Sequence, residues 1–226
     1  MTPTVLITTE LLIDRPVLSM ELVGATGSVM ARRFGDEPGE WEKSYRHVLE
    51  DWDNYWADLN LAEDNSLGQW REGRWRVERA LFRLTHKRPP SEEKIALHLD
   101  KLPREIGREC DAWLPGAVDG LRALAARGAK IVLIAPTQSS ALIWGLLDGA
   151  QLTKTVERVL GPDELGQVGL DEDALEWLLR QAGGPPAETW LISTQLGEPA
   201  LRPPPDLSHL PDLLFQPGTG GSSSHS

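Results

Sequence analysis

The run Trp113-Leu114-Pro115-Gly116-Ala117-Val118-Asp119-Gly120-Leu121-Arg122-Ala123-Leu124-Ala125-Ala126-Arg127-Gly128, followed by Lys130-Ile131-Val132-Leu133-Ile134-Ala135, decides the fold class. From Ala117 to Arg127 the apolar residues Val118, Leu121, Leu124 and Ala125 fall on one helical face, and Gly128 supplies the stop. Lys130–Ala135 is a short apolar run rich in β-branched residues, bounded by Gly128 and Pro136. That is how a strand buried on both faces reads. Working outward, Thr4-Val5-Leu6-Ile7 repeats the signature, with the polar cluster Thr8 to Glu10 at its C-terminal end. Weaker strand candidates are 156–160, 189–193 and 212–216. Helical periods occupy 140–147 and 171–181, the latter opening on three acids and closing on Gly183-Gly184-Pro185, as a helix dipole favours. Strand and helix alternating from 117 to 216 predict a doubly wound parallel α/β sheet.

Residues 18–109 read differently. They contain no convincing strand, and helical stretches at about 18–34, 40–60, 67–87 and 91–109 are separated by loops such as Gly35-Asp36-Glu37-Pro38-Gly39 and Arg88-Pro89-Pro90. Trp41, Trp52, Trp56, Trp70 and Trp75, out of nine tryptophans in all, fall here. The expected division is an α/β core of 1–17 and 111–217, an all-helical cap of 18–110 inserted after the first strand, and a Gly/Ser-rich disordered tail of 218–226.

The chain has 226 residues, 40% of them apolar, with 23 Lys plus Arg against 34 Asp plus Glu and a net charge of −11. That sign repels phosphate backbones and anionic lipid surfaces, so neither nucleic acid nor membrane is an expected partner. No apolar run approaches the ~20 residues of a bilayer span, and no basic region precedes the first strand as in a signal peptide. Cys110 is the lone cysteine. A reduced, cytoplasmic setting is the expectation.

The layout, together with the Pro115-Gly116-Ala117 helix leading into 130–135, resembles the haloacid-dehalogenase-like (HAD) hydrolase superfamily and its phosphoglycolate-phosphatase-like members. The resemblance implies a Rossmann-like core carrying an inserted helical cap. It also implies a catalytic loop after the first strand, in which one Asp is nucleophile and magnesium ligand and a second protonates the leaving group. Here Thr8 and Glu10 stand at those positions. The phosphate-binding Thr or Ser after the second strand corresponds to Ala135, with Thr137 two residues late. The family Lys falls on Gly169, in Gln167-Val168-Gly169-Leu170-Asp171, and Lys154 is the nearest lysine. The later metal-binding Asp becomes Thr194, with Glu198 in place of a further acid. A threonine has no charge to offer magnesium, and as a nucleophile it would form a stable phosphate ester. Phosphoryl transfer depends on positioned charge, so the simultaneous loss of acids and lysine predicts a HAD-like protein without HAD chemistry.

Left at the strand ends is a neutral polar set: Thr8, Thr9, Glu10 (the exception in charge), Thr137, Ser139, Ser193, Thr194 and Gln195. Such an edge could hold a small polar ligand, or its groups could simply satisfy the loop backbone. The histidines 47, 86, 98, 209 and 225 show no metal spacing and read as solvated or capping residues, and Cys110 as a structural thiol. The stripe Arg76, Arg79, Arg83, Lys87 is either an anion-binding face or a solvated face paired with Glu50, Asp51, Asp53 and Asp58. The cap tryptophans pack a core or form a partner or homo-oligomer surface. The expected function is therefore non-catalytic binding of a partner or small polar ligand between cap and core, with no cofactor. The alternative is a HAD phosphatase built around Glu10, for which magnesium would be required.

Overall fold

In the computed structural model, residues 3–59, 61, 66–181, 189–193 and 208 are described. Strand β1 (Thr4–Thr8) leads through a 3-10 turn (Thr9–Leu11) into helices α1 (Arg15–Phe34), α2 (Pro38–Glu50), α3 (Trp52–Trp56), α4 (Ser66–Leu84) and α5 (Glu92–Arg108). Then follow α6 (Ala117–Ala126), β2 (Lys130–Ile134), α7 (Ser140–Gly149), β3 (Arg158–Leu160), α8 (Pro162–Leu165), α9 (Glu172–Gln181) and β4 (Thr189–Ile192). The strands form one four-stranded sheet in the order β3-β2-β1-β4, every neighbouring pair parallel. The strand expected at 212–216 and the tail at 218–226 lie outside the described residues.

The period-2 alternation of β1 explains its continuous apolar run. Val5 and Ile7 face a cluster with Leu121, Leu124, Ile143 and Leu147, from α6 and α7. Leu6 faces the other layer, with Ile134, Leu160, Leu165, Leu178 and Leu191. Both faces are covered, as a parallel sheet requires.

The helical insertion leaves and returns through two chain segments zipped side by side. The Asp14 N–H donates to Ala112 O and the Leu114 N–H to Leu12 O, both at 2.8 Å, around the Ile13–Trp113 bridge. Asp14 also caps α1, its Oδ1 accepting the Val17 N–H at 3.1 Å. Above this point Val29, Met30, Trp41, Val48, Phe82 and Leu102 form a separate apolar cluster. The helix expected over 40–60 is two helices. Asp51 leaves helical geometry (φ −106°, ψ 17°) and its N–H turns back to His47 O. The helix expected to reach 87 stops at Leu84, because His86 takes a left-handed φ of 57° and the Lys87 N–H closes on Phe82 O at 2.8 Å.

α5 lies along α7 at backbone contact: a Cβ added at Gly145 would stand 2.9 Å from Gly107 Cα. At the same crossing Arg104 grips Asp148 with two bonds, of 2.8 and 3.1 Å. Among the described residues no helix is long and apolar enough to cross a membrane.

Candidate functional site

Parallel strands all end at one edge, so the tips of β1, β2, β3 and β4 gather there. Thr8 is level with Ile134, and one step beyond the Ile7–Ile192 pair it is level with Ser193. Thr8, Thr9 and Ser193 are each at least 95% buried, at 0%, 1% and 5% exposure. The Thr9 hydroxyl donates to Gln138 Oε1 at 3.3 Å, tying β1's end to the loop after β2. Thr8 Oγ1 has no hydrogen-bond partner among the described residues. Ser193 does have one. Glu10 sits at the rim, where Arg15 Nη2 donates to its Oε1 at 2.7 Å.

Other expected positions separate from this group. Ala135 is fully buried and its N–H donates to Leu160 O at 2.9 Å, so it offers the edge nothing polar. Thr137 is exposed. Ser139 spends its hydroxyl capping α7, accepting the Leu142 N–H at 3.3 Å. Thr194, Gln195 and Glu198 lie outside the described residues. Lys154 is in an exposed turn ahead of β3, at the opposite edge of the sheet from Thr8.

The segment at Gly169 is built as part of the loop scaffold. Its φ of +94° belongs to the region side chains avoid, and its N–H donates to Pro136 O at 2.9 Å. Beside it the Val168 N–H donates to Ser66 Oγ at 3.2 Å, bringing the start of α4 down onto the core. Asp171 caps α9, and the Ala174 N–H at 2.8 Å holds its carboxyl below the usual range.

Two acids of α8 were not singled out from sequence. Asp163 accepts from Arg71 of α4 (Nε at 2.9 Å), a further contact between α4 and the core. Glu164, itself exposed, takes the Ser140 hydroxyl at 2.7 Å and the Gly161 N–H at 2.9 Å. The signal lay in Gly161-Pro162-Asp163-Glu164 directly after a strand, a helix start whose third residue reaches back to cap it.

A defluorinating L-2-haloacid dehalogenase aligns over 94% of this chain and 95% of its own, with a TM-score of 0.51 at 16% identity. The chain has a HAD-like fold. The HAD hydrolase YfnB of Bacillus subtilis, bound to magnesium, aligns over 85% of this chain and 80% of its own, with a TM-score of 0.51 at 12% identity. No family model and no curated protein matches the chain.

Among the described residues, the donors at this HAD-like edge do not fit magnesium. Thr8 brings a neutral hydroxyl, and the carboxylates of Glu10 and Glu164 are already engaged by Arg15 and by Ser140 with Gly161. Among the described residues no three His, Cys, Asp or Glu side chains stand close enough to share an ion. Hard cations of this class are held chiefly by carboxylates.

The remaining candidates resolve as packing. Arg76 pairs with Asp58, as the solvated-face reading expected, but Arg79 pairs with Glu92 and Lys87 with Asp36. His98, expected to be solvated or capping, is half-buried in the cap against Phe34 and Phe82, its Nδ1 3.7 Å from Glu78 Oε1. Trp41 fills the cap core with its Nε1 donating to Gly35 O at 2.8 Å, while Trp52 is exposed and stacks on Trp56 at 5.5 Å. Burial, with help from Glu21 and Glu109, pushes the Cys110 thiol up to about 12, so it is no nucleophile at neutral pH.

Proposed function

We propose that this HAD-like chain acts by binding a small polar ligand or a protein partner between cap and core, without catalysing phosphoryl or halide chemistry. In this reading residues 1–17 and 111–217 are the binding core and 18–110 the cap over it. The setting is a reducing cytoplasm, which a lone buried cysteine suits. The observation that carries the reading is Thr8, a fully buried hydroxyl without a partner among the described residues, at the position where the fold's enzymes keep a nucleophilic carboxylate. Gly169 supports it: a lysine there would have to adopt φ +94°, and the backbone is tied to Pro136. Haloacid dehalogenation needs the same missing carboxylate nucleophile.

A second reading, a phosphate-ester hydrolase, rests on Glu10, an acid at the right edge with its side chain 11% exposed. A phosphatase substrate panel with magnesium separates the two. No turnover is expected. Turnover that disappears in Glu10→Gln would establish the hydrolase. Trp52, exposed and stacked on the half-buried Trp56, is the natural place for a partner or a second copy of the chain.

A further inference from the structure

Glu78 and His98 face each other inside the cap, and the facing atoms of both lack a hydrogen bond. Glu78, on α4, is 7% exposed, and its Oε1 has no hydrogen-bond partner among the described residues. His98 Nδ1, on α5, is likewise buried and unbonded, 3.7 Å from that oxygen. A carboxylate oxygen buried without a donor is costly, and the ring needs to move only about half an ångström to supply one. Side-chain pairs that serve a ligand are often long before it arrives and tighten with it.

The imidazole is held against Phe34 and Phe82, with ring centroids 4.9 and 6.4 Å away. With Nδ1 turned to Glu78, Nε2 is the nitrogen left to a cleft of about 280 Å³ that His98 lines between α1 and α5. A carboxylate beside one imidazole nitrogen fixes the proton there, so the other nitrogen of the neutral ring presents a lone pair. Nε2 therefore calls for a donor. Phe34, Leu97 and Leu102 give the cleft apolar walls, and its size suits a single ring rather than a larger ligand. Charge at the mouth is positive, because Glu105 takes up Arg33 while Lys101 has no partner among the described residues. A hydroxyl that gains negative character as it donates is favoured beside a free ammonium.

We propose that this cleft is a binding site for a small ring bearing an acidic hydroxyl, a phenol, which donates to His98 Nε2 while Glu78 holds Nδ1. The site is built from α1, α4 and α5 alone, so it stands whether or not the strand edge binds anything. Its test is a titration of phenol into the full chain, followed through the imidazole nitrogen and proton signals of His98, with toluene as the ring that lacks the hydroxyl. Phenol should give saturable shifts in the millimolar range, and toluene should bind at least about tenfold more weakly. Glu78→Gln can donate to Nδ1 and so move the ring proton to Nε2, and it should lose about tenfold in phenol affinity. Leu97→Glu, a change at an exposed position on the rim, should weaken phenol at least as much with the fold kept. No saturable shift at His98 overturns the site, as does unchanged affinity in Leu97→Glu. Toluene binding as tightly as phenol overturns the role of Nε2. Wild-type His98 protonated at Nε2, or a folded Glu78→Gln of unchanged affinity, overturns the part given to Glu78.

Discussion

Replacing Thr8 by valine removes one oxygen from the end of β1 and changes little else. The side chain is fully buried and Oγ1 has no partner among the described residues. A hydroxyl buried without a compensating hydrogen bond costs ~1–3 kcal/mol, and valine removes that cost while keeping the branched shape. The new methyl adds up to ~0.8 kcal/mol of apolar burial. The expected outcome is a gain of about 1–3 kcal/mol, and each kcal/mol moves Tm by roughly 2–4 °C in a chain of this size. Urea unfolding followed by tryptophan fluorescence would measure it, with an unchanged m value as the control. Under the binding reading the same variant loses ligand affinity, so stability and function move in opposite directions. A loss of more than about 1 kcal/mol in Thr8→Val would refute the reasoning, because the hydroxyl would then be hydrogen-bonded in the unliganded protein.

Gly145→Ala should destabilise by about 1–3 kcal/mol in urea unfolding, since its methyl would meet Gly107 Cα at 2.9 Å and the α5–α7 contact is backbone on backbone. Arg104, with Thr153 and Arg108 assisting, holds the Asp148 carboxyl down at about 2. A carboxyl with a depressed folded value adds stability that is full above the unfolded value of ~4 and is lost as pH falls through the folded value of about 2. Asp148→Asn should therefore cost about 1–2 kcal/mol at neutral pH, discounted for the half-exposed arginine, with a gap to wild type that closes between about pH 4 and pH 2. A gap that is constant with pH would assign the loss to packing. Cys110, buried with its thiol raised to about 12, should resist iodoacetamide at pH 8 in the folded protein and react fully after unfolding in urea.

Elements buried on both faces were the most legible in the sequence. β1 and β2 are near-continuous apolar runs because each alternate side chain meets a different helical layer. The Gly128 stop and the acids opening α9 also marked their boundaries in advance. What escaped was set by tertiary contacts. Asp51 breaks a helical pattern that runs on in sequence, and the partner of Arg79 is Glu92, across a loop. His98 reads as solvated from its lack of metal spacing, yet it lies three residues after Ile95 and four before Leu102, on the apolar stripe of α5, and that spacing carries it into the cap. At the site, Thr8, Thr9 and Ser193 were placed together from strand ends alone, because parallel strands share an edge. Thr137 and Ser139 were drawn into the same set by sequence proximity, but one points to solvent and the other caps its own helix. The capping role of Glu164 was legible in Gly161-Pro162-Asp163-Glu164, but its bond to the Ser140 hydroxyl was not, because that depends on β3 and β2 ending side by side.

A magnesium titration of the full chain, followed through the amide signals of Thr8, Thr9, Glu10 and Ser193, tests the account at its centre. It predicts spectra that do not move beyond the ionic-strength control. Saturable shifts converging on those four residues, weakened by Glu10→Gln, would mean that the strand edge is a working metal site and would contradict it.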